Sequence, residues 1–441
     1  MRKLLFFLLL ILAGCGGDGV SGGSSANGTQ TAWHTPEVNW LSVNPQTVML
    51  MEGDGSIVAS AELGFSDPGA DLQALWIKIT SDDGSDTIEF VVASGLEKGT
   101  LSEEFDFSTN VAGSFEVEVW VVDQAGQVSN HISRKVAVIS DPAAWVERES
   151  NLPFALNAVH YSDLTEIFVA AGDGGTVMTS PDGVNWTLVD AGAHVNLHAI
   201  GFDLFDYVIV GDSATVLGSA GGTDAWIVQH SGDANVSLRG VSHRAWPIVA
   251  VGKLEDTGAP YVLRSPDHGQ SWAVIDNLPR SGRWFSGVAW GWTDGLDVGS
   301  TWIEVLPNDG RLFISDGGEV WNEVIIDVDA VSTLSVIWDE DGYWVGGTGG
   351  RIYRSPDGVN WTKLQTPVDT DFSALAWSGV NLIAHGSAGS GAMTSDDGQS
   401  WLVFDIAADY ESRGLAYGNG RFVSVGQSTA DPGKGAIYTS P

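Results

Sequence analysis

Ser180-Pro181-Asp182-Gly183-Val184-Asn185-Trp186 returns almost unchanged at residues 355–361, SPDGVNW. Variants stand at 265–272 (SPDHGQSW) and 395–401 (SDDGQSW), with weaker copies at 219–226 and 315–321. A last copy begins at Ser440-Pro441, where the sequence stops. Successive starts differ by 39, 46, 50, 40, 40 and 45 residues, the spacing of repeated blades of four short strands. The chemistry of the motif is that of a tight turn. An Asp side chain accepts backbone N–H groups across the turn. Gly takes a positive φ there, and Trp carries a large apolar face to bury between blades. Asp182, Trp186, Asp267, Trp272, Asp357, Trp361, Asp397 and Trp401 therefore read as structural residues.

A second column supports the same count. Upstream of each box lies a short strand with a small residue followed by an aliphatic one. Examples are Asn157-Ala158-Val159-His160-Tyr161, Ser286-Gly287-Val288-Ala289-Trp290 and Arg413-Gly414-Leu415-Ala416-Tyr417. Seven such strands crowding one axis need small side chains at the closest approach. The seventh blade has no fourth strand downstream, while Ala144-Trp145-Val146-Glu147-Arg148, ahead of the first repeat, resembles a missing Trp strand. Residues 143–149 are thus expected to complete the last blade and remove the open sheet edge.

Through these boxes, residues 143–441 resemble the Asp-box (BNR) repeat of sialidases, two-propeller xyloglucanases and seven-bladed photosystem II assembly factors. The resemblance implies a β-propeller whose boxes lie between third and fourth strands, away from any ligand. It also implies that a ligand would sit at the channel mouth. The first position of each innermost strand belongs there: Asn157, His198, Arg239, Ser286, Leu334, Ser373 and Arg413. Asp173 and Asp212 follow second strands in matching places, and Lys253, Glu255 and Asp256 do so in the third repeat. Asp173, His198, Asp212, Arg239 and Arg413 are the candidate ligand-binding residues, because arginines, a histidine and carboxylates around one opening suit an anionic or polyhydroxylated ligand. The same residues also suit a merely solvated rim.

Catalytic motifs are weak. The sialidase pattern calls for an Arg-Ile-Pro motif and an arginine triad, but the repeats start at Leu152-Pro153-Phe154, and Arg148, Arg351 and Arg354 do not map onto the triad. His194 and His198 lead into a strand and not along a zinc-binding helix. Trp284, Trp292 and Trp302 read either as a sugar platform or, more simply, as packing between blades.

Ahead of the repeats, residues 36–140 hold short alternating stretches at 56–63, 74–80, 87–92, 114–122 and 133–138. They are separated by breakers such as Asp67-Pro68-Gly69 and Gln124-Ala125-Gly126, which predicts a β-sandwich. The run 112–130, AGSFEVEVWVVDQAGQVSN, resembles the last hairpin of bacterial immunoglobulin-like and PKD-like domains. Asp67, Asp71 and Asp123 would offer weak calcium binding or cap turns, and turn capping is the simpler reading. No other cofactor is expected.

The N-terminus reads MRKLLFFLLLILAGC. Arg2 and Lys3 precede a nine-residue apolar run, too short for a span and suited to a signal peptide. Leu12-Ala13-Gly14-Cys15 resembles the lipobox of bacterial lipoproteins, which implies lipidation of Cys15 and stable membrane anchoring. No Asp follows Cys15, so an outer-membrane location is expected. The organisation is then signal peptide 1–14, tether 15–35, sandwich 36–140 and propeller 141–441.

The 441 residues include 43% hydrophobic side chains, 56 Gly and 19 Trp, enough to build a sizeable core. Twenty Lys and Arg against 56 Asp and Glu give −36, a balance that opposes nucleic-acid binding. One Cys excludes a disulfide framework. The fold expected is all-β, a sandwich followed by a seven-bladed propeller closed by an N-terminal strand. The function expected is a monomeric, lipid-anchored interaction protein of the cell envelope that binds an envelope or extracellular protein. The alternative is a surface glycosidase or glycan-binding protein.

Overall fold

In residues 113–123, GSFEVEVWVVD, every second side chain is aliphatic or aromatic, and the strand Gly113–Asp123 buries Phe115, Val117, Val119 and Val121 on one face. In the computed structural model the strand Leu72–Ser81 alternates in the same way, burying Leu75, Ile77 and Ile79. The structure describes residues 35–441 except 45–46, 51–55, 82–83, 93–94, 96, 109–112, 141–144, 151, 224–225, 243–246, 277, 279–283, 292–300, 306–310, 327–332, 340, 380, 395–397, 399–400 and 441. Cys15 and the proposed signal peptide and tether, Trp292 and Asp397 lie outside the described residues. The chain divides into two units, Met1–Ile139 and Ser140–Pro441.

The first unit is a sandwich. One sheet holds Glu37–Asn44, Ser56–Ser66 and Lys98–Ser108, in that order. The other holds Thr47–Leu50, Ile132–Ser140, Gly113–Asp123, Leu72–Ser81 and Gly84–Val91. Leu41, Leu63 and Phe65 from the first sheet share one core with Leu75, Ile77, Val119 and Val136 from the second. Strands 37–44, 47–50 and 98–108 add to those read from the sequence. Asp67 accepts the amides of Gly69 and Asp71 (3.1 and 2.9 Å), and Asp123 accepts that of Gln127 (2.7 Å), so both cap turns.

Among the described residues the second unit contains seven four-stranded antiparallel sheets, the blades of a propeller. Blades 1 to 6 span 156–189, 197–230, 236–274, 287–325, 333–365 and 372–405. Blade 7 comprises Tyr410–Gly418, Arg421–Ser428, Gly435–Thr439 and, as fourth strand, Val146–Arg148 from the head of the unit. Val146 pairs with Thr439, and Arg148 with Ile437. Each first strand packs against the first strand of the next blade, including that of blade 7 against blade 1, so the ring is closed. The approach is tight: a Cβ on Gly414 would lie 2.9 Å from the Ala158 Cα.

Period-2 alternation in the second strands supplies both neighbouring seams at once. Phe168 and Ala170 meet Val423 and Val425 of blade 7, while Val169 and Ala171 meet Ile209 and Leu217 of blade 2. Trp186, Trp226, Trp272, Trp321, Trp361 and Trp401 each join one apolar seam in turn. Trp145 serves the remaining seam, between blades 6 and 7, where its ring lies parallel to Phe404 at 6.0 Å.

Candidate functional site

The boxes lie between third and fourth strands, and the Asp182 and Asp357 carboxylates are spent on their own turns. Asp182 Oδ1 accepts the amides of Val184 and Asn185 (2.9 and 2.8 Å) and the Ser180 hydroxyl (3.0 Å), and Oδ2 accepts Asn185 Nδ2 (2.7 Å). Trp186 Nε1 donates to the Gly183 carbonyl at 2.8 Å. The box at Asp357 repeats every one of these bonds. Partial burial would raise the Asp182 carboxyl, but the bonds from Asn185, Val184 and Ser180 outweigh it and hold the group well below the usual range. Gly183 sits at φ 71°, where a side chain would be strained. The third-blade box carries an extra residue, His268, at φ 56° and bonded to Asp203 (3.0 Å). Its Asp267 is held low by Ser271, whose hydroxyl and amide both donate to it. In the weaker boxes Trp226 and Trp321 bury their indole N–H without a partner, so burial alone keeps the Trp there.

The opposite rim is built by a repeated bulge. The register between first and second strands skips one residue at Leu156/Ala158, Leu197/Ala199, Leu238/Gly240, Thr333/Ser335, Phe372/Ala374 and Ser412/Gly414. The residues left out of the ladder are Asn157, His198, Arg239, Leu334, Ser373 and Arg413. A bulge re-aims the extra side chain, and here neighbouring bulges touch across blades. Arg413 Nη1 donates to Asn157 Oδ1 (2.9 Å), and Asn157 Nδ2 donates to Asp173 Oδ1 and to the Leu197 carbonyl (both 2.8 Å). Arg239 Nη1 lies 3.5 Å from His198 Nδ1, and Ser373 donates to the Ser412 carbonyl (2.7 Å). These contacts run from blade 6 through blade 7 to blade 3.

His198, Asp212 and Arg239 form one cluster. His198 Nε2 donates to Asp212 Oδ1 (2.8 Å), which also accepts the Ser237 hydroxyl from the next blade (2.7 Å). That fixes the imidazole tautomer and leaves Nδ1 facing Arg239. Burial works to raise the Asp212 carboxyl, yet the bonds from His198 and Ser237 hold it down to about 2. Glu255 stands between Arg239 (3.7 Å) and Lys253 (3.0 Å), and Lys253 Nζ lies 5.5 Å over the Trp284 ring. Arg413 and Asp173 belong to a second cluster, linked by Asn157, with Glu411 3.5 Å from Arg413. Charged side chains thus occupy an arc from blade 7 through blade 3. The corresponding bulges of blades 5 and 6 carry Leu334 and Ser373.

Ser237 donates to the Asp212 carboxylate and not to the His198 imidazole. A glycosidase acid needs a raised carboxyl pKa. Among the described residues, the carboxyls raised by burial are Asp206, on the loop between the first two strands of blade 2, and Glu103 in the sandwich. Arg148, Arg351 and Arg354 serve the scaffold: Arg148 donates to Thr439 (2.9 Å), Arg351 to the Thr348 carbonyl (3.3 Å) and Arg354 to buried Asp339 (3.3 Å). No group of three His, Cys, Asp or Glu among the described residues is arranged to hold a metal ion. The bulge was missed in the sequence because an extra residue in a strand has no compositional signal.

A closed ring of four-stranded blades with a side-chain network at one mouth defines a β-propeller protein. No family model and no curated protein matches the chain. Among solved structures it is similar to YCF48, a photosystem II assembly factor, bound to a D1 peptide (TM-score 0.50, 16% identity, 68% of this chain and 95% of that one). It is also similar to YCF48 from Cyanidioschyzon merolae (0.53, 13%, 68% and 99%). A third similar structure is a catalytically inactive virginiamycin B lyase from Staphylococcus aureus with quinupristin (0.53, 12%, 67% and 99%). At these identities the likeness is one of fold.

Proposed function

We propose that this chain is an extracytoplasmic interaction protein, anchored through a lipid on Cys15, whose propeller recognises an envelope or extracellular protein at the channel mouth. The observation that carries the reading is the bulge-presented network at the mouth. Its side chains are held in place by partners on neighbouring blades, which lowers the entropy lost on binding. Its charges alternate: Arg413, Arg239 and Lys253 stand among Asp173, Asp212, Glu255 and Glu411, a pattern that favours selection of one partner surface over bulk attraction. The peptide carried by one YCF48 structure is a precedent for a propeller ligand of this class.

The test uses the full lipidated chain as bait in detergent-solubilised envelope, beside Arg239→Ala and Arg413→Ala variants. One stoichiometric protein recovered with the parent and lost with both variants supports the reading. Equal recovery with all three overturns the assignment of the mouth. Hydrolysis of aryl-glycosides that disappears in Asp212→Asn would move the function to the glycosidase alternative. Mass spectrometry of the N-terminal peptide, with Cys15→Ala as control, checks the anchor.

A further inference from the structure

Six seams between blades are filled by aliphatic and aromatic side chains, but the seam between blades 6 and 7 is polar at its centre. His385 occupies, in the second strand of blade 6, the place held by Ala171, Val210 and Val251 in blades 1, 2 and 3. It is fully buried. Across from it, Ser412 stands where blades 1, 2 and 3 have Leu156, Leu197 and Leu238, and Ser424 lies in the adjoining strand. Ser424 Oγ is 3.3 Å from His385 Nδ1, 2.8 Å from the Tyr410 hydroxyl and 2.9 Å from Ser412 Oγ. His385 Nε2 donates to the Gly389 carbonyl at 3.1 Å. Trp145, the residue before the closing strand, lies parallel to the imidazole at 6.2 Å.

We propose that this seam is an acid-sensitive latch: a proton taken up by His385 parts blade 6 from blade 7 and frees the closing strand Val146–Arg148, opening the ring. With Nε2–H committed to the Gly389 carbonyl, the extra proton goes to Nδ1. There it turns an acceptor into a donor facing Ser424 and places a charge in a buried seam. Burial already pushes the imidazole down to about 4, opposed by the Gly389 carbonyl and by Asp405, which favour the charged form. The other ionisable groups facing the seam are Tyr410 and Tyr438, whose rings are 4.6 Å apart, with Glu147 and Asp409 beyond Tyr438. Arg148 bonds Thr439 on the closing strand itself. The strand that must let go is short, with three paired residues. The inference is independent of what the mouth binds.

The unfolded imidazole titrates near 6.5, so opening becomes easier as pH falls from 6.5 towards 4 and levels off below. The expected change in the opening equilibrium is roughly two orders of magnitude. Hydrogen exchange of the full chain between pH 7 and pH 4.5, corrected for intrinsic rates, reads it directly. Peptides covering 145–149 and 435–439 are expected to lose protection first, ahead of peptides from blades 1 to 3. His385→Gln, which keeps hydrogen bonding but does not titrate in this range, is expected to abolish the pH dependence. If that variant folds poorly, His385→Val with Ser412→Leu and Ser424→Ala restores the apolar pattern of the other seams and gives the same readout. Undiminished pH dependence in these variants, or first exchange elsewhere in the propeller, overturns the latch.

Discussion

At the box rim, Asp182 and Asp357 each collect hydrogen bonds from the residues two and three positions on, whereas at the mouth Asp212 is held by His198 on its own blade and by Ser237 on the next. One residue type does two jobs. At the first rim it closes a local turn and leaves nothing for a ligand. At the second it ties blades together while part of the carboxylate faces the opening. A local motif therefore marks stability, and a function can be read only from residues that meet across repeats.

The largest effect expected concerns what both rims depend on. Deleting 142–149 removes Trp145 and the fourth strand of blade 7, and the product is expected to be insoluble or to melt without cooperativity; a calorimetric transition like that of the parent would refute the closure. At the box rim, Trp361→Ala is expected to cost about 3 kcal/mol and Asp357→Ala about 2 kcal/mol in urea unfolding, with partner capture retained.

Acid separates the two uses of charge. His385 contributes stability that is full above pH 6.5 and is lost by about pH 4, on the order of 3 kcal/mol. His230, also lowered by burial, acts in the same direction. Asp212 contributes above its ordinary value of 3.8, and that contribution fades as pH falls towards 2. Two successive losses, the higher one diminished in His385→Gln, are expected in melting temperature against pH.

At the mouth, Arg239→Ala is expected to move the melting temperature by less than about 2 °C while removing the partner, the reverse of the box variants. The smallest effect sharpens the comparison further. Ser213 and Ala214, next to Asp212, hold φ of 59° and 53° without being glycine, where blade 1 has Gly174 and Gly175. Ser213→Gly is expected to stabilise the chain by roughly 0.5–1 kcal/mol and to weaken capture by loosening Asp212. Isothermal unfolding with a binding titration on the same sample measures both.

Much of this architecture was legible in the sequence because repeats average out noise. The SPDGVNW copies, the small residue at the tightest approach (Ala158, Gly414) and the stray Trp145 strand each reflect a rule applied blade after blade. The sandwich strands 37–44 and 98–108 were harder, since no repeat supports them. Asn157, His198, Arg239 and Arg413 were readable as strand starts, but their pairing across blades depends on the bulge, a property of two strands at once. The polar seam was invisible for a related reason. His385 stands alone in the apolar stretch LIAHG, while its companions Ser412, Ser424 and Tyr410 lie 25 to 39 residues away.

Because the fourth strand of the last blade comes from the head of the propeller, the covalent path from the N-terminal sandwich reaches the ring at its three-residue clasp. Tension applied through the sandwich would load Trp145 and the three residues after it before any other part of the toroid. A pull from that side would thus bear first on the strand that closes the circle.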